Sequence, residues 1–255
     1  QKSPDIGSPD IKLVNKQKIA VLSGEGTSSL SYGEIWHFFE QQLHYPITSI
    51  NTDDFSHTNL NKYNVLIIPN GYYGRVLTND NMTKLKEWVS SGGKVIAING
   101  ALRSFAGKDG FSLSYKDTDD TEIEDNLTPY ADREREYSNN LITGAIFNTK
   151  VDATHPMAFG YGDHYFTLKL GSSAYNLLES GYNVAYLNDT KVFSGFAGQD
   201  AVKTLDQTLV FGEEPMGNGS FIYMVDNTLF RSFWENGKLF FVNSIFFVNN
   251  NAYEL

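Results

Sequence analysis

The chain predicts an α/β fold, a doubly wound and mostly parallel sheet with an additional β-rich C-terminal part. Three observations point there. Four short apolar runs each stop at a turn or glycine, amphipathic segments of helical period separate them, and the second half shortens into strand-length pieces. Lys18-Ile19-Ala20-Val21-Leu22-Ser23-Gly24 is the first run, and its unbroken apolar character suits a strand covered on both faces. Ser31 to His44 places Ile35, Trp36, Phe38, Phe39 and Leu43 on roughly one helical face, with Pro46 just beyond. Residues 47–50 and 63–71 are the second and third strands. Thr78 to Ser91 spaces Met82, Leu85, Trp88 and Val89 as a helix and stops at Gly92-Gly93. Residues 94–98 form the fourth strand.

Residues 117–136 interrupt this pattern with nine acids and two arginines. They read as a solvated insertion or a charged helix within an acidic stretch near 108–140. Asp117, Asp119, Asp120 and Glu122 would offer calcium ligands, but their spacing misses the EF-hand template and its central glycine. From Leu141 onward, strand candidates fall at 145–147, 165–170, 183–187, 208–211, 221–225 and 239–241. Gly217-Asn218-Gly219 supplies a hairpin turn before Phe221. Residues 1–17, broken by Ser3-Pro4-Asp5 and Ser8-Pro9-Asp10, read as a linker from an upstream domain, leaving 18–255 as the folded unit.

Composition narrows the function classes. The formal charge of −10 shows no basic face for nucleic acid or for anionic membranes. The absence of cysteine excludes disulfides, thiolate metal sites and thiol catalysis. No apolar run approaches the ~20 residues of a membrane span. With neither an initial Met nor a signal-like segment, Gln1 reads as the start of a fragment or a processed chain.

Several strings, taken in order, resemble the class I glutamine amidotransferase-like domain. They begin with Lys18-Ile19-Ala20-Val21-Leu22-Ser23-Gly24-Glu25-Gly26, Ile67-Ile68-Pro69-Asn70-Gly71 and Trp88 through Ile98. They continue with Tyr130 through Glu136, Gly144-Ala145-Ile146-Phe147, Thr154 through Gly160, Phe230 through Trp234 and Leu239 through Ser244. The likeness spans about residues 18–248. It is greatest to the version fused behind the peptidase domain of bacterial zinc carboxypeptidase-like proteins. The resemblance implies a flavodoxin-like, amidotransferase-like sheet and an exported accessory domain whose partner is the upstream peptidase domain. A working member of the class carries a cysteine at the sharp turn after the fourth strand. Here that turn holds Asn99 and Gly100, neither of which provides a thiolate, so glutaminase chemistry is not expected.

In an open α/β sheet, ligands settle beyond the carboxyl ends of the strands. The loops at 24–30, 70–75 and 99–105 should therefore meet there. Residues 70–75 occupy the place of the family's oxyanion loop. Glu25, Ser28, Tyr72, Asn99 and Arg103 are the candidate ligand-binding residues, suited to a small polar ligand or peptide. Tight turns and helix caps account for the same residues without any ligand. No cofactor and no metal is expected. His37-Phe38-Phe39-Glu40 has zinc-type spacing, yet it sits among core aromatics of the first helix. Two alternatives stay open: a hydrolase using Ser104 with His155 or His164 and Asp163, and an oligomerisation module. Arg231 and Trp234 sit among core-like aromatics, and Arg231 is expected to be buried or half-buried and paired to an acid.

Overall fold

The computed structural model describes residues 14–116 and 129–249. The linker residues 1–13 and the calcium-type acids of 117–122 lie outside them. Ten strands form one continuous sheet. They are β1 (Ile19–Ser23), β2 (Ile47–Asn51), β3 (Val65–Ile68), β4 (Lys94–Ile98), β5 (Ile142–Val151), β6 (His164–Lys169), β7 (Tyr182–Leu187), β8 (Val192–Ala197), β9 (Thr208–Met216) and β10 (Gly219–Met224). The order is β2-β1-β3-β4-β10-β9-β7-β5-β6, with β8 paired to β5 off that path. The first five strands of that order run parallel; β9 and everything after it pair antiparallel. The doubly wound sheet is therefore as expected, and the β-rich C-terminal part continues it rather than standing apart.

Strand alternation divides the apolar residues between two cores. Ile19, Val21, Val65, Ile67, Ile96, Ile98 and Ile222 face α1 (Ser29–His37) and α5 (Glu235–Phe246). Ala20, Leu22, Leu66, Ile68, Val95, Ala97 and Phe221 face α2 (Asn79–Ser90), through Leu85, Trp88 and Val89. β3 and β4 are buried along their whole length, which explains their uninterrupted apolar runs. Gly92 ends the second helix at φ +118°, and a Cβ on Gly93 would lie 2.4 Å from the Trp88 ring. That pair turns the chain from helix into strand while letting Trp88 seal the core.

The first helix begins earlier than its periodicity suggested, with Ser28 as cap, and continues as a π-helical turn at Phe38–Leu43. His44 then leaves it in a left-handed conformation (φ 50°). The acidic stretch contributes α3 (Arg133–Asn139), which buries nothing, and α4 (Gln199–Thr204) precedes β9. Among the described residues no helix is long and apolar enough to cross a membrane.

One strand assignment fails. Leu239-Phe240-Phe241 lies inside α5, where Phe240, Phe241 and Ile245 pack inward while Leu239 stays exposed. A three-residue apolar run has no resolvable period, so strand and helix look alike at that length.

Candidate functional site

The loops after β1, β3 and β4 meet as expected, and they are knitted together by their own backbone. Tyr72 N donates to Gly26 O (2.8 Å) and Ser28 N to Asn70 O (2.9 Å), with an antiparallel bridge between Thr27 and Gly71. Asn70 N donates to Ser31 Oγ at 3.0 Å. Tyr73 anchors the loop from below through its hydroxyl, which donates to Pro69 O at 2.9 Å. Burial pushes that hydroxyl up to about 12, so it stays protonated as a donor.

At the end of β4 the chain makes a sharp turn, the one where the sequence resemblance leads one to expect a nucleophile. Asn99 adopts φ +51°, a left-handed conformation that asparagine tolerates better than most side chains. Its Nδ2 donates to Val225 O at 3.3 Å, tying the turn to the end of β10. The next amide, Gly100 N, donates to Asn70 Oδ1 at 3.0 Å. A Cβ at Gly100 would lie 2.5 Å from that oxygen, so only glycine allows the approach. The amide that would face an oxyanion thus already holds an uncharged oxygen of the protein.

Beside this turn, over the ends of β1, β2 and β3, lies a cleft of about 670 Å³. Glu25, Asp53, Tyr72, Arg75, Asp80 and Asn81 form its polar walls. Arg75 Nη1 meets Glu25 Oε1 at 3.1 Å on the rim, and Tyr72 is 72% exposed. Of the five candidates, Glu25 and Tyr72 line this cleft. Ser28 instead caps α1, accepting from Ser31 N at 3.4 Å, and Asn99 is engaged with Val225. Arg103 is exposed on the turn after β4, and its charge offsets part of the burial that raises Tyr175 to about 12. Arg75, the cation of the 70–75 loop, lines the cleft as well, although it was not among the five candidates.

The histidines assemble no nucleophilic site. His155 Nδ1 accepts from Met157 N at 3.2 Å, so the ring proton sits on Nε2, which meets Glu213 Oε2 at 2.9 Å. Both ring nitrogens are thereby occupied in a buried setting. His164 pairs with Asp163 at 2.9 Å on the surface. No hydrogen bond joins Ser104 to either histidine among the described residues. His37 and Glu40 are exposed, and no third ligand gathers with them there. Arg231 corrects another expectation: it is exposed, its guanidinium stacks on Phe230 at 5.0 Å, and only its backbone N reaches an acid, Glu34 Oε1, at 2.8 Å.

Several buried polar contacts escaped sequence reading because each partner is distant in the chain. Asp226, just after β10, binds Lys169 Nζ (3.1 Å) and Thr167 Oγ1 (2.6 Å). Glu213 and Glu214, adjacent on β9, take separate partners: His155 and Asn249 for one, Ser112 N and Tyr223 for the other. Lys94, 2% exposed, donates to Ile245 O near the end of α5 at 2.8 Å.

Burial lowers the Lys94 pKa to about 7, against a weaker opposing pull from Glu213. A folded-state value below the unfolded one favours the neutral amine in the native protein. That contribution is complete above the ordinary lysine range and is lost as pH falls through about 7. Wild type should therefore gain stability relative to Lys94→Met as pH rises from 7 to 10, measured by urea unfolding at each pH. A difference that stays flat with pH would refute the assignment.

No family model matches the chain, and no curated protein matches it. Solved structures do. A ThuA-like protein from Bacteroides uniformis aligns at 15% identity over 93% of this chain and 94% of its own, with a TM-score of 0.51. A GMP synthase component from Thermoplasma acidophilum gives 11% identity, 91% and 94% coverage and a TM-score of 0.52. A glutamine amidotransferase from Thermotoga maritima gives 7%, 84% and 77%, and 0.50. At these identities the likeness is one of architecture: the chain has the mixed α/β, flavodoxin-type fold of glutamine amidotransferase-like and ThuA-like proteins.

Proposed function

We propose that this chain is a non-catalytic amidotransferase-fold module that binds a small polar ligand or peptide in the cleft walled by Glu25, Tyr72 and Arg75. The observation that carries it is the filled turn after β4. Asn99 stands where attack would begin, and Gly100 N already donates to Asn70 Oδ1. An acyl-transfer site needs both a nucleophile and free donors for the developing oxyanion. The cleft beside the turn offers carboxylates, a guanidinium and an aromatic face, chemistry that suits recognition.

The ordered sequence motifs support a context for this binding, that of the accessory domain of an exported zinc carboxypeptidase-like protein, set against its peptidase domain. Calorimetry tests both parts, with L-glutamine, other amino acids and dipeptides as titrants, and then the peptidase domain itself. Saturable binding of one small titrant should weaken about tenfold or more in Arg75→Ala, the scale of one charge-assisted hydrogen bond. Glutamine should release no ammonia with wild type or with Asn99→Cys, because among the described residues the turn after β4 bonds to Val225 and Asn70 and to no histidine that could act as base. Ammonia release above background, or heats unchanged by Arg75→Ala, would overturn the ligand reading. Absence of heat with the peptidase domain would remove the docking part.

A further inference from the structure

The edge where the parallel strands begin carries a second cleft, of about 560 Å³, remote from the loops described above. It is bordered by the chain entering β1, the turn before β3, the end of α2, the start of β4 and Asn249. Among the described residues its lining contains Lys16, Lys18, Lys62 and Lys94 and no aspartate or glutamate. In a chain with 30 acids against 20 bases, that local excess of positive charge runs opposite to the whole.

Lysines at this edge have one ready structural explanation, because the flanking helices end here and present carbonyls of partial negative charge. Lys94 fits that explanation, since its Nζ reaches Ile245 O. Lys62, the last residue of the short 3-10 helix Leu60–Lys62, also stands at a helix end, whereas Lys16 and Lys18 lie on the strand approach; all three are exposed. Among the described residues none of the three has a carboxylate within ion-pairing distance. Asn64 accepts from Lys18 N through Oδ1 at 2.8 Å, and its NH₂ group makes no hydrogen bond among the described residues. Three compact ammonium charges and an amide donor thus border one concavity of ligand size.

We propose that this cleft binds a small polyanion, a molecule with two or more clustered negative charges on phosphoryl or carboxylate groups. Lysine acts on such groups as a point charge, without the fixed fork that arginine imposes. The site is independent of the cleft at the opposite strand ends, and its ligand has opposite charge preference to the acid-rich walls there.

Titration calorimetry of the whole chain at fixed ionic strength tests this, with pyrophosphate and citrate as probes and sodium chloride as the ionic control. One-to-one binding of pyrophosphate or citrate is expected, at least tenfold weaker in the Lys18→Gln/Lys62→Gln double variant and unchanged in Arg75→Ala. Tighter pyrophosphate than citrate identifies phosphoryl chemistry; the reverse identifies carboxylates. Thermal unfolding of the double variant, with a midpoint near wild type, shows that weaker binding reflects lost charge. Heats no larger than those of chloride, or heats unaffected by the double variant, would overturn the site.

Discussion

Asp226→Ala should lower the free energy of unfolding by about 3–5 kcal/mol, the cost of leaving one partner of a buried ion pair unmatched. Both carboxylate oxygens are engaged, one by Lys169 Nζ and the other by Thr167 Oγ1. Lys169 is 2% exposed and has no route to water once the carboxylate is gone. The contact also joins the antiparallel edge to the end of β10, so its loss loosens both. Removing both charges in Lys169→Met/Asp226→Leu should recover most of the stability, because two apolar side chains of similar size avoid the desolvation cost. Urea midpoints at constant slope measure these differences. A loss below about 1 kcal/mol in the single variant would show that Lys169 finds another partner.

Phe240→Ala should be comparably severe, about 3–5 kcal/mol for a fully buried aromatic, with a fall in melting temperature on the order of 10 °C. Phe240 stacks on Tyr161 at a centroid distance of 4.0 Å and meets Phe211 at 4.8 Å and Tyr165 at 5.0 Å. Those rings come from the loop before β6, from β9 and from β6, so one side chain holds α5 to the antiparallel half. Leu30→Ala, at an exposed position on the first helix, should stay within about 0.5 kcal/mol and serves as the control. Calorimetric melting distinguishes them; equal shifts would mean that the aromatic cluster does not anchor α5.

The parallel half was legible because burial on both faces writes itself as an apolar run, and Gly24, Gly71 and Gly92 mark the run ends and turns. The antiparallel half was less so. β5 was visible only at 145–147, although its inward set extends from Ile142 through Thr149 to Val151, because a buried threonine breaks the hydrophobic alternation. β8 left no signal, since most of its residues are exposed and Phe193 and Phe196 carry no period. At the site, the meeting of the three loops followed from strand order alone. The capping of α1 by Ser28 is local, a bond from Ser31 N three residues on, and helix caps were among the readings the sequence allowed. That Asn99 would turn to Val225 depended on a contact across the fold, which local spacing does not encode. Nothing in the local sequence marks the carboxylates of Glu213, Glu214 and Asp226 as buried. Their partners bind from 9 to 102 residues away.

The hairpin between β9 and β10 delivers the fifth parallel strand only after the chain has built the antiparallel edge. Cutting the molecule at the midpoint of its sequence would therefore leave β4 without its neighbour and its apolar side chains open to water. Neither fragment would be a self-sufficient unit: the last strand made completes the layer that the first strands begin.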